Sequence, residues 1–161
     1  MPQKLPPVPP PPPPVKPPIR ELHGALFKMA VPEGWTDRSL YVCSAPMPVE
    51  GIEPNVTVTQ ENRPDLKDLD EYSKGVMSEL SGQLPEFKLR KSEKRSLGGR
   101  DARWNEYNWK NPHGVLLRQA QWHVYKSPTA FVITATAPES AYAKFEATLE
   151  EVVKGFAFLT K

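Results

Sequence analysis

From Glu86 to Ala137 the chain alternates runs of aromatic and β-branched residues with tight breaks of Gly, Pro and Asn. Four strands follow from this pattern: Leu89 to Ser96, Asp101 to Lys110, Val115 to Lys126 and Thr129 to Ala137. The breaks between them, Leu97-Gly98-Gly99-Arg100, Asn111-Pro112-His113-Gly114 and Ser127-Pro128, supply the positive or fixed φ that a reversal needs. Connections this short make neighbouring strands antiparallel. Upstream, Ala25 to Val31, Ser39 to Ala45 and Asn55 to Glu61 read as three further strands, the last with one polar face of Asn55, Thr57 and Thr59.

Between Leu66 and Leu84 the period changes. Leu69, Tyr72, Val76, Met77, Leu80 and Leu84 recur at three- and four-residue spacing, which is one face of a helix. Asp68 and Glu71 form a capping pair at its start, and Gly82 and Pro85 end it. After Pro138, Tyr142, Phe145, Leu149, Val152, Val153 and Phe156 make a second stripe. The predicted fold class is α+β: a twisted antiparallel β-sheet of about seven strands with two amphipathic helices packed on it.

Composition separates a tail from a body. Eleven of the 20 prolines lie in residues 1–18, with an unbroken run from Pro9 to Pro14. Proline has no N–H and a fixed φ, so residues 1–20 read as a disordered, polyproline-II-prone tail and residues 21–161 as a single domain. The tail reads as a docking arm or stiff tether, or as a solvated extension without a partner. The first 20 residues hold Lys4, Lys16 and Arg20 and no acid; 21 basic residues less these three leaves 18 against 19 acidic ones in the body. A near-neutral body gives no electrostatic footprint for nucleic acid. No apolar run approaches the roughly 20 residues that cross a bilayer, and no apolar leader precedes a cleavage site, so neither export by the general route nor membrane insertion is expected.

The sequence offers no reaction centre. His23, His113 and His123 do not pair at metal-ligand spacing, so no metal or cofactor is expected. Cys43, the single cysteine, reads as a buried structural thiol. No nucleophile elbow, phosphate loop or dinucleotide fingerprint is present. The basic run Lys88, Arg90, Lys91, Lys94 and Arg95 reads as an edge strand guarded against pairing. One pattern stands apart. Gln119, Gln121, His123 and Tyr125 share a side of their strand with Val115 and Leu117, where a solvent-facing strand would carry charges. Uncharged hydrogen-bonding groups beside apolar ones suit a surface that receives another polypeptide.

The opening Leu26-Phe27-Lys28-Met29-Ala30-Val31-Pro32-Glu33-Gly34-Trp35-Thr36-Asp37-Arg38-Ser39 resembles that of the DcrB-related family. So do the Leu97-Gly98-Gly99-Arg100 turn before a Trp/Tyr strand and the closing Ala141 to Phe156 helix. The resemblance covers roughly residues 22–159 and implies a PsbP-like fold. Versions without a signal peptide resemble the Eag chaperones of type VI secretion. These are cytoplasmic homodimers that shield the N-terminal transmembrane helices of PAAR- and Rhs-type effectors. The resemblance therefore implies a non-enzymatic cytoplasmic chaperone, and the proline-rich segment departs from the family pattern. Strand alternation, not a family motif, assigns Gln60, Gln119, Gln121 and His123, with Val58 and Leu117, to the client groove. The competing expectation is a general interaction module of the same class without a secretion role; an enzyme is the third.

Overall fold

The computed structural model describes residues 12–13, 15–23 and 27–160. The chain falls into two units, Met1–Asp37 and Arg38–Lys161. In the first, β1 (Ile19–His23) and β2 (Lys28–Pro32) form an antiparallel hairpin, with Ile19 opposite Pro32 and His23 opposite Lys28. The Glu21–Lys28 ion pair spans 3.0 Å, and the Arg20 guanidinium donates to the Trp35 carbonyl. β1 was not expected: the tail is predicted to run to residue 20, and Ile19 and Arg20 are strand residues. The expected strand from Ala25 is described only as β2; its first two residues, and most of the Pro9–Pro14 run, lie outside the described residues.

The second unit holds β3 (Leu40–Ser44), β4 (Asn55–Asn62), α1 (Leu69–Gln83), β5 (Lys88–Leu97), β6 (Arg100–Lys110), β7 (Leu116–Lys126), β8 (Thr129–Pro138) and α2 (Glu139–Lys154). Its six strands form one antiparallel sheet in the order β3-β4-β8-β7-β6-β5. The predicted meander is therefore present, and β4 docks beside its last strand with Val58 opposite Ile133. The β5–β6 reversal is a two-residue turn in which Gly98 and Gly99 have φ of 60° and 74°, the pairing geometry that matches strand twist.

The two helices lie on opposite faces of the sheet. α2 packs on the face carrying Val56, Ala120, Trp122, Val124, Ile133 and Ala135, and buries Tyr142, Leu149 and Val153 against it. Ala120 and Ala135 are directly opposite each other, and their small side chains let the helix approach the sheet. Trp104 meets Trp122 edge to face at 6.2 Å, and Arg95 stacks on Trp104 at 3.7 Å. α1 lies on the other face, over β6 and β7, and buries only Ser73 and Met77. Asp68 caps it, accepting from the backbone N–H groups of Asp70 and Glu71.

Edge chemistry differs at the two ends of the sheet. β5 carries the basic run and a bulge between Leu89 and Lys91. β3 is Leu-Tyr-Val-Cys-Ser, with no charge and every side chain exposed. Cys43 is exposed, not buried, because β3 is the edge strand of the six-stranded sheet.

Candidate functional site

Sheet register decides which predicted groove residues meet. On β7, Leu117, Gln119, Gln121 and His123 share the α1 face, as the alternation implies. Val58 and Gln60 do not join them. Val58 pairs with Ile133, which pairs with Trp122; Gln60 pairs with Phe131, which pairs with Val124. Both therefore lie on the α2 face, and the six residues cannot line one groove. Alternation fixes the phase within one strand, whereas relating β4 to β7 requires the pairing through β8.

Nor do the β7 amides form an open floor. His123 is fully buried and Gln121 is 7% exposed. They belong to a hydrogen-bonded relay that ties α1 to the sheet. The Ser92 hydroxyl donates to Asn105 Oδ1 (2.7 Å), and Asn105 Nδ2–H donates to Ser73 Oγ (2.9 Å). The Ser73 hydroxyl donates to His123 Nδ1 (2.8 Å), and His123 Nε2–H donates to Gln121 Oε1 (2.6 Å). Gln121 Nε2–H then donates to Thr134 Oγ1 (3.1 Å). Because Gln121 offers its carbonyl to the ring, the imidazole proton sits on Nε2 and Nδ1 accepts. Burial pushes His123 down to about 4, so the ring is neutral near pH 7. Burial also raises the Tyr107 phenol above its ordinary value. Gln119 is similarly engaged, donating to Thr136 Oγ1 (2.8 Å) and accepting from Trp109 Nε1–H (2.7 Å). Leu117 is 5% exposed.

What α1 leaves bare is the same face two strands away. Leu40 and Val42 of β3 pair with Thr59 and Thr57 of β4, which pair with Val132 and Thr134 of β8. This strip carries aliphatic and hydroxyl groups and no charge. Leu40, Val42 and Thr59 are exposed, and Thr57 and Val132 are half-buried. It is the mixed character sought on β7, displaced to the sheet margin. The signal for it is present in the sequence as the uncharged Leu40 to Ser44 and the Asn55, Thr57, Thr59 alternation. On the opposite face, Cys43, Val56, Phe145, Leu149 and Val152 line an apolar trough of about 140 Å³ between α2 and the β3–β4 margin.

A larger hollow of about 560 Å³ lies beside α1, lined by Glu61, Arg63, Asp65, Asp68 and Glu71 among others. Three of its charges are paired with one another: Arg63 meets Asp65 at 3.2 Å and Glu61 at 3.9 Å. Among the described residues no cluster of His, Cys, Asp and Glu is arranged to hold a metal ion. No described helix is long and apolar enough to cross a membrane.

The DcrB family matches residues 28–155 of the sequence, most of its length. The chain belongs to the DcrB family. Among curated proteins, none matches it. Solved structures add the fold. A Pseudomonas aeruginosa protein of unknown function, PA94, superposes with a TM-score of 0.72 at 17% identity, covering 89% of this chain and 99% of its own. LpqN of Mycobacterium tuberculosis, involved in cell envelope biogenesis, gives 0.51 at 15% identity over 77% of this chain and 85% of its own. PsbP of the cyanobacterium Synechocystis gives 0.52 at 12% identity over 87% and 92%. This DcrB-family chain thus has the α+β, PsbP-like architecture that its sequence pattern and resemblance imply.

Proposed function

We propose that this DcrB-family protein is a non-enzymatic cytoplasmic chaperone or adaptor. It acts as a homodimer and shields the N-terminal transmembrane helices of a PAAR- or Rhs-type effector before type VI secretion. The observation that carries this reading is the uncharged strip on β3 and β4, where Leu40 and Val42 stand exposed beside Thr57 and Thr59. A transmembrane helix presents about 20 apolar residues to water. At roughly 25 cal/mol per Å² of apolar area, covering it contributes many kcal/mol. Leu40, Val42 and Val132 suit its aliphatic surface. The hydroxyls of Thr57 and Thr59 suit its small polar groups, and no fixed charge there has to be desolvated.

A second reading, a general interaction module for a soluble partner, draws on a different observation. The β7 amides and His123 are spent on internal hydrogen bonds beneath α1. Co-expression separates the two. The N-terminal fragment of an effector encoded beside this protein is expected to be soluble with the wild-type chain. With Thr57→Lys and Thr59→Lys together, co-purification is expected to fall about tenfold or more, because a lysine facing an apolar helix loses its hydration without gaining a partner. Undiminished co-purification with the double variant would remove the strip from the account. A fragment equally soluble without the protein would favour the second reading.

A further inference from the structure

We propose that β3 is the contact edge between two copies of this chain. It pairs antiparallel with its own symmetry mate about Val42 and seats Tyr41 of each protomer at the partner's apolar trough. The proposal rests on the homodimer reading above and specifies the surface that makes it.

The two edges of the sheet are chemically unlike. β5 presents Lys88, Lys91 and Lys94, all exposed, and its ladder is interrupted by the bulge between Leu89 and Lys91. Cationic side chains and a bulge are the features that block edge-to-edge pairing. β3 has neither. Leu40, Tyr41 and Val42 are 56%, 59% and 52% exposed. A β3 edge meeting another molecule's β5 would generate an open, growing contact, and the β5 cations oppose it. A β3 edge meeting β3 closes on itself, because an uncharged strand is complementary to its own two-fold image.

Register supplies the second observation. With Val42 on the two-fold axis, Tyr41 falls opposite the partner's Cys43. Tyr41 lies on the α2 face, since it pairs with Val58, and Cys43 lines the trough on that face. An apolar cavity of about 150 Å³ accommodates a benzene ring. The trough, about 140 Å³, is close to the size of one aromatic ring's cavity. The hydroxyl of Tyr41 would remain at the rim, where water reaches it. A specific interface needs about 800 Å² from each partner, more than a five-residue strand edge offers alone. The trough contact, with exposed Val152 on its wall and Met47 just beyond β3, adds apolar area to that edge.

Pairing of this kind also joins the two uncharged strips. Strands β8, β4 and β3 and their three symmetry mates, at about 4.8 Å per strand, would span roughly 24 Å. A helix with its side chains is about 10–12 Å across, so the joined strip accommodates two side by side.

Light scattering of the full chain after size-exclusion chromatography tests the proposal. Wild type is expected at twice its 18.1 kDa chain mass. Val42→Lys is expected to be monomeric, with unchanged circular dichroism, because it places two ammonium groups opposite each other across the axis on an exposed site. Lys94→Ala on β5 is expected to remain dimeric. In a Cys43→Ser background, Val42→Cys is expected to form a covalent dimer with a short bismaleimide. A Val42→Lys protein that stays dimeric, or no cross-linking at Val42→Cys, would overturn the β3 interface while leaving the homodimer reading intact. A monomeric wild type would overturn both.

Discussion

Lowering the pH from 7 to 4 is expected to remove about 3 kcal/mol of folding free energy through His123 alone, about 2 kcal/mol of it by pH 5. His123 is fully buried, and burial holds it at about 4 against an ordinary value of 6.5. The unfolded chain therefore takes up a proton near pH 6.5 that the folded chain resists until about 4. Stability from the neutral ring is complete above the unfolded value and is lost as the pH falls toward the folded one. Protonation would put a hydrogen on Nδ1 facing Ser73 Oγ, which already accepts from Asn105. No carboxylate is in the relay to meet the new charge. The nearby charged groups are committed elsewhere: Asp70 to Arg103 at 3.0 Å, and Glu61 to the Tyr72 hydroxyl, with Arg63 over the Tyr72 ring. Urea midpoints between pH 7 and 5 should fall steeply in wild type and remain nearly flat in His123→Gln, which has no titrating ring. A wild-type midpoint constant over that range would contradict the buried, neutral assignment.

Replacing Glu139 by Ala is expected to cost about 2–3 kcal/mol, while Glu150→Ala changes stability by less than about 0.5 kcal/mol. Glu139 opens α2 and joins it to the sheet. Its carboxylate accepts from Arg118 Nε (2.7 Å), Asn108 Nδ2 (2.8 Å) and Arg90 (3.1 Å). The hydrogen bond from Arg118, aided by Asn108 and Arg90, holds Glu139 at about 2. Its stabilisation is therefore present above about pH 4.5 and lost as the pH falls toward 2, below the His123 window. The first helical turn also favours a negative charge. Truncation leaves Arg118, 18% exposed at its side chain, without its carboxylate. Glu150 pairs with Lys154 at 3.6 Å along the helix surface. Thermal or urea unfolding at pH 7 compares the two variants. A Glu139→Ala loss under 1 kcal/mol would show that the Arg90–Arg118 bridge does not anchor α2.

The meander was legible because its reversals are written in residue types: Gly98-Gly99, Asn111-Pro112 and Ser127-Pro128 leave few backbone solutions. Both helices were legible from their period, and the Leu117 to His123 alternation placed that set on one face correctly. The helix arrangement was not legible. α1 docks through Met77 and through Ser73, a polar residue lying within its apolar stripe, which hydrogen-bonds to Asn105 and His123. That relay is the part of the contact to which hydrophobic periodicity is blind. Val58 and Gln60 were misplaced for a topological reason: β4 pairs with the distant β8, with Val58 opposite Ile133 and Gln60 opposite Phe131, and nothing local in either strand sets that register. Cys43 and the open strip share one cause. An edge strand and a central strand of uncharged residues look alike until the sheet order is known.

Hydrogen–deuterium exchange on the full chain, with and without a soluble carrier displaying a 20-residue apolar helix, tests most directly where a client is received. Added helix is expected to slow exchange in residues 40–44 and 55–62, leaving residues 69–83 of α1 unchanged. Protection confined to α1, or no protection anywhere, would contradict a client-binding strip on β3 and β4.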